Sequence, residues 1–91
     1  MDTSVFTEEL KRDGYADVST RTQEPLIENS AHSHPFDVRA LMLAGDLTLT
    51  YAGKTEVCRA GDVFTMQAGC EHSEKFGSAG ATYLVGRRKK D

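Results

Sequence analysis

The feature that most constrains this chain is its punctuation. From Asp17 onward, short β-type runs alternate with turn residues, most of them marked by glycine. The runs are 18–22, 26–30, 37–44, 47–51, 55–59, 63–66, 70–76 and 81–86. Pro25, Gly45-Asp46, Gly53, Gly61, Gly69 and the 77–80 stretch separate them. Eight short strands at regular spacing predict an all-β sandwich or barrel. The 47–51 run alternates cleanly, with Leu47, Leu49 and Tyr51 facing inward and Thr48 and Thr50 outward. The 37–44 run does not alternate. Val38, Ala40 and Met42 are apolar on one face, and Leu41 and Leu43 on the other. A strand with one wet face should alternate, so its outer face is expected to be covered. A second copy of the chain is the expected cover, making a homodimer, with the N-terminal segment as the alternative.

The N-terminal arm, residues 1–15, reads as a short helix. Thr7 is the expected cap, with Glu8 and Glu9 in the first turn and Lys11 and Arg12 in the last. Gly14 is placed to end it, and Phe6 and Leu10 to anchor it. The barrel then spans 17–86, and 87–91, RRKKD, reads as a solvated basic tail.

With 91 residues the chain is one domain. Its net charge of -3 provides no basic field for nucleic acid. No apolar run approaches the roughly 20 residues that cross a bilayer. The acidic start lacks the order of a signal peptide, so a cytoplasmic location is the expectation. Two cysteines make no disulfide framework, and both are read as reduced thiols. Cys58 is expected in the core or at an edge.

The chain holds three histidines. His32 and His34 are two apart, so on an extended segment both rings aim at one side. His72 lies in a separate glycine-marked segment, GDVFTMQAGCEH. Three imidazoles gathered from two places in a barrel make a site for one divalent transition metal; Fe, Zn, Ni, Cu and Mn all accept such ligands. Cys70, His72, Glu74 and Phe76 share parity. Glu74 or Cys70 is therefore a candidate fourth ligand, or Glu74 a group holding an imidazole N–H. The bland readings are a solvated Glu74 and a small core cysteine. Val38, Ala40, Met42, Tyr51, Phe64, Met66 and Phe76 are candidate walls of an apolar pocket beside the metal. Asp37 and Arg39 have outward parity and are expected at the surface or an interface.

At His32-Ser33-His34, Gly45, Gly61, Gly69 and His72 the chain resembles the cupin superfamily. That family's first motif is Gly, five residues, HxH, three or four residues, Glu, six residues, Gly. Its second is Gly, five residues, Pro-x-Gly, two residues, His, three residues, Asn. The resemblance covers residues 17–86 and implies a jelly-roll barrel, a double-stranded β-helix. It also implies metal ligation by His32, His34 and His72. Four motif positions differ: Leu26 stands for the first glycine, Val38 for the glutamate, Gln67 for the proline and Phe76 for the asparagine. Loss of the glutamate leaves a neutral three-histidine set, similar to cupins such as thiol dioxygenases. The run HPFDVRALMLAGDLTLT also resembles stand-alone cupins and the cupin half of AraC-type regulators. Two functions follow as expectations. One is a metal centre acting on a small molecule, in a dioxygenase-like manner among other possibilities. The other is a non-catalytic binding or sensing module with a structural or vestigial metal. A dry, fully packed partner protein is a weaker third.

Overall fold

The computed structural model describes residues 2–89. Helix α1 spans Thr3–Arg12. The strands are β1 Asp17–Gln23, β2 Glu28–His32, β3 Phe36–Tyr51, β4 Lys54–Arg59, β5 Val63–Met66 and β6 His72–Lys89.

Two of these strands are long, and they organise the rest. β3 and β6 run antiparallel along their whole lengths, from Phe36 opposite Lys89 to Tyr51 opposite His72. Near one end β1 flanks β6 and β5 flanks β3, giving the order β1-β6-β3-β5. Near the other, β2 flanks β6 and β4 flanks β3, giving β2-β6-β3-β4. One six-stranded sheet thus folds into two four-stranded layers. Their inner faces share a single core in which Ala40, Met42, Phe64 and Val85 meet Leu47, Leu49, Cys58 and Phe76.

The eight expected runs are therefore present as six strands. Runs 37–44 and 47–51 are joined in β3, and 81–86 continues without a break from the run before it in β6. Gly45-Asp46 is not a reversing turn, and 77–80 is not a loop. Each is a bend within a strand. The register of β3 on β6 shifts between Met42 and Ala44 and again between Gly45 and Leu47. Such bulges bend a strand and change which parity faces inward. That is why Ala40 and Met42 are buried before the bend and Leu47 and Leu49 after it. Gly45 and Gly80 both have positive φ, at 74° and 70°. A side chain on Gly45 would strike the Gly80 carbonyl, so the corner closes only without one.

Helix α1 lies on the outer face. Asp2, not Thr7, is its cap, because the Asp2 carboxylate accepts from Ser4 N at 2.7 Å and Ser4 Oγ at 2.5 Å. Thr7 is interior and donates to the Thr3 carbonyl at 2.8 Å; Glu8 and Glu9 fall beyond the first turn. At the other end Gly14 N bonds Lys11 O and Tyr15 N bonds Leu10 O, with Gly14 at φ 88°. This is the Schellman arrangement that a left-handed glycine permits.

The helix buries Phe6 and Leu10 completely, against Tyr15, Leu41 and Leu84. Each such side chain contributes about 1.5–3 kcal/mol of burial. Gly86 lets the helix approach: a Cβ there would sit 2.9 Å from Tyr15 Cβ and 3.0 Å from both Leu10 methyls. The N-terminal segment is thus what covers Leu41, while Leu43 stays 37% exposed.

The basic run is not a free tail. Arg87, Arg88 and Lys89 complete β6; Lys90 and Asp91 lie outside the described residues. Arg88 reaches back to Asp37, at 2.9 Å from Nη2 and 3.2 Å from Nε, and Asp37 also accepts from Ala68 N at 2.8 Å. Asp37 has outward parity yet is 4% exposed, because Arg88 and the 67–70 turn close over it. Arg39 pairs with Glu9 and Asp13 and lies over the Phe6 ring.

Candidate metal centre

His32 is the last residue of β2, His72 the first of β6, and the two are register partners. His34 lies two residues past β2, in the link to β3. Pro35 follows it and disfavours the helical backbone at His34. The turn at Gly69 holds this link, because Gly69 N bonds the His34 carbonyl at 2.8 Å. The three rings converge, with centroids 4.4 Å apart for His32–His72, 4.9 Å for His32–His34 and 5.2 Å for His34–His72. One nitrogen from each lies within 4.8 Å of the others.

Hydrogen bonding sets the state of two rings. His32 Nδ1 lies 2.7 Å from Ser30 O, and His72 Nδ1 lies 3.0 Å from Cys70 O. A carbonyl oxygen only accepts, so each Nδ1 must carry the proton. In the neutral ring Nε2 is then left as a lone pair, the form that binds a metal. The His34 ring has no hydrogen-bond partner among the described residues and stacks on Phe36 at 4.9 Å. Desolvation, and then the neighbouring His32 and His72, push its pKa below the usual histidine value. It too favours the neutral, ligating form.

Glu74 adds the only carboxylate on this cavity among the described residues. Its Oε1 accepts from Asn29 Nδ2 at 3.1 Å and lies 3.6 Å from His32 Nε2. A deprotonated Nε2 facing a carboxylate oxygen is two acceptors in opposition. A cation at the cluster, or a proton on Nε2, reconciles them. The donor set therefore fits a divalent transition ion: three imidazoles of borderline softness, with one carboxylate near enough to join or to hold a bound water.

The cluster opens into a cavity of about 220 Å³. Val38, Phe64 and Met66 form part of its wall, with Phe36, Leu49 and Val85. Ala40, Met42 and Phe76, which parity suggested as pocket walls, do not line it. They are at most 1% exposed and pack into the shared core, since the cavity occupies only part of the barrel interior. Tyr51 instead turns its hydroxyl to Glu56, to which it donates at 2.9 Å. Cys70 lies outside the histidine cluster. It sits in the turn before β6, where Cys70 N bonds Gln67 O, so the parity of β6 does not extend to it. Cys58 and Cys70 are both free thiols, and burial pushes the Cys58 thiol up to about 11.

Sequence reasoning missed five polar residues that line the cavity: Arg21 and Gln23 of β1, Tyr83 and Arg87 of β6, and Asn29 of β2. The signal was present. Tyr83, Val85 and Arg87 share one parity, and that alternation runs on into what looked like a tail.

No protein-family model matches the sequence, and no curated protein matches it. Solved structures do. A protein of unknown function from Rhizobium leguminosarum bv. viciae superposes with a TM-score of 0.75 at 16% identity, over 80% of this chain and 69% of that one. A cupin-superfamily protein from Desulfitobacterium hafniense gives 0.70 at 18%, over 80% and 66%. A cupin protein from Bacteroides fragilis gives 0.65 at 20%, over 79% and 64%. The chain thus spans about two thirds of the length of these proteins. At such identities the likeness shows the fold, which is the cupin fold, and the fold by itself assigns no chemistry.

Proposed function

We propose that the chain binds one divalent transition metal on His32, His34 and His72 and acts there on a small molecule held in the adjoining cavity. The observation that carries this reading is the convergence of three imidazoles at a cavity mouth, two of them with Nδ1 tied to backbone carbonyls. A purely structural cluster has no need of three lone pairs aimed at one point beside an open volume.

When bound, such a metal supplies Lewis acidity or, for iron, copper or manganese, redox chemistry with dioxygen. The chain's own residues do the rest. Ser30 O and Cys70 O orient His32 and His72. Asn29 holds Glu74, and a Glu74 carboxylate there can take a proton from a water or substrate beside the histidines. Phe36, Val38 and Met66 exclude water from the side where the family motif would have a glutamate. Non-catalytic binding is the second reading, favoured by Val38: an apolar wall stands where that motif supplies a negative ligand.

The test is metal analysis of untagged protein by inductively coupled plasma mass spectrometry, before and after incubation with Fe(II), Zn and Ni. The expected result is about one equivalent in the wild type and its loss in His34→Ala and His72→Ala. No uptake by the wild type, or full occupancy in either variant, would overturn the site. A metal-loaded protein that binds a small molecule saturably without turning any over selects the second reading.

A further inference from the structure

The cavity wall carries charge that the protein itself does not neutralise. Arg21 and Arg87 line the cavity, and neither guanidinium makes an ion pair or a hydrogen bond among the described residues. Arg87 lies over the Phe36 ring at 4.9 Å, which places its guanidinium without consuming its N–H groups. Tyr83 adds a third donor. Its hydroxyl oxygen accepts from Gln23 Nε2 at 3.2 Å, and its own O–H meets no acceptor among the described residues. Against these stands one carboxylate among the described residues, Glu74, already engaged by Asn29. The cavity is therefore cationic in a chain whose net charge is -3.

We infer that the cavity takes a small organic anion, its acidic head on the guanidiniums of Arg21 and Arg87 with Tyr83 as a further donor, and its body on the apolar wall. This rests on the reading that the cavity receives a small molecule. Two guanidiniums and a hydroxyl match the oxygens of a carboxylate or a phosphate, which arginine binds through paired N–H groups. Phe36, Val38, Leu49, Phe64, Met66 and Val85 supply apolar wall, so the ligand carries a hydrocarbon or aromatic body. A volume of about 220 Å³ is below the usual lower bound of roughly 300 Å³ for drug-sized ligands, so that body is small.

Isothermal titration calorimetry tests this with benzoate, phenyl phosphate and the neutral isostere benzamide, on zinc-incubated and metal-free protein. Benzoate or phenyl phosphate is expected to bind at least about tenfold tighter than benzamide, since charge-assisted hydrogen bonds are roughly twice as strong as neutral ones. Whichever anion binds tighter identifies the head group. Arg87→Gln and Arg21→Gln should each weaken the anion about tenfold and leave zinc affinity unchanged. Arg87→Lys, which keeps the charge over Phe36, should recover part of the loss and guards against a folding defect. Equal affinity for benzoate and benzamide, unchanged anion affinity in both glutamine variants, or no anion binding to the wild type would overturn the inference. Zinc affinity, measured separately, shows whether the metal site stands or falls independently.

Discussion

The junction of β3 and β6 carries polar groups on both of its faces, and the two faces treat them oppositely. Outside, Asp37 receives Arg88 and the Ala68 amide, while Arg39 is engaged by Glu9, Asp13 and the Phe6 ring. Inside, one residue along each strand, Val38 and Arg87 face a cavity where three imidazoles and a guanidinium are only partly partnered. A charge that closes on its own neighbours holds structure. Donors and lone pairs that converge without closing are arranged for something else. That difference, and not the bare presence of histidine, separates the candidate site from the rest of the polar residues.

The comparison can be broken from the inside first. Zinc at a hundred times its Kd should stabilise the wild type by about 2.7 kcal/mol. His34→Ala should lose that gain while shifting the metal-free protein by less than about 0.5 kcal/mol, as expected for a change that removes no packing contact of the core. Urea unfolding with and without zinc measures both. A large loss in the metal-free variant would mean that the histidines are structural after all.

The outside should respond in the reverse sense. Asp37→Ala should cost about 2 kcal/mol, the scale of hydrogen bonds to a charged group, and should leave zinc affinity within threefold of the wild type. Loss of zinc binding in this variant would show that the two faces are coupled.

A pH series sharpens the contrast. The folded pKa of His34 lies below its unfolded value. The unfolded chain therefore takes up the proton first, and the metal-free protein should lose stability as pH falls below about 6.5, the unfolded histidine value. His34→Ala should flatten that part of the profile. Cys58 has the opposite shift, with its thiol at about 11. Its contribution is present below the unfolded value and is lost as pH rises toward 11. Iodoacetamide at pH 8 should accordingly leave Cys58 unmodified in the folded protein and label it in urea, as read by mass spectrometry.

The smallest effect concerns the approach to β2. Leu26 has φ 63° and is 67% exposed, so a β-carbon is held in the left-handed region with little burial in return. Leu26→Gly should raise stability by about 0.5 kcal/mol, the relief of that conformation less the entropy of glycine. A loss in thermal melting would refute it.

The position of Leu26 also shows how much was legible. The cupin motif has glycine there, and the backbone keeps the conformation that glycine favours although the residue has changed. The histidine triad was legible for a similar reason: an i, i+2 pair on extended chain and a third histidine at a fixed distance from two glycines are local facts. Asp37 was not legible. Parity gave its direction correctly but not its burial, which depends on Arg88 arriving from the far end of the chain.

Alternation of apolar and polar residues along an extended backbone is decided by the backbone itself, so the sequence alone determined which runs are β and, within each unbroken run, which side chains share a face. It determined the three imidazoles and that two of them share one extended segment. Only the tertiary structure decided where those faces change over. The bends in β3 and β6 exist because Gly45 and Gly80 meet across the sheet, and no local window contains both. The same meeting joins runs 37–44 and 47–51 into one strand. A basic-looking terminus becomes the last three residues of β6, and Arg87 and Arg88 are sent to opposite faces, one into the cavity and one onto Asp37. Direction along a strand is local physics, whereas what a side chain meets is set by the chain that packs beside it.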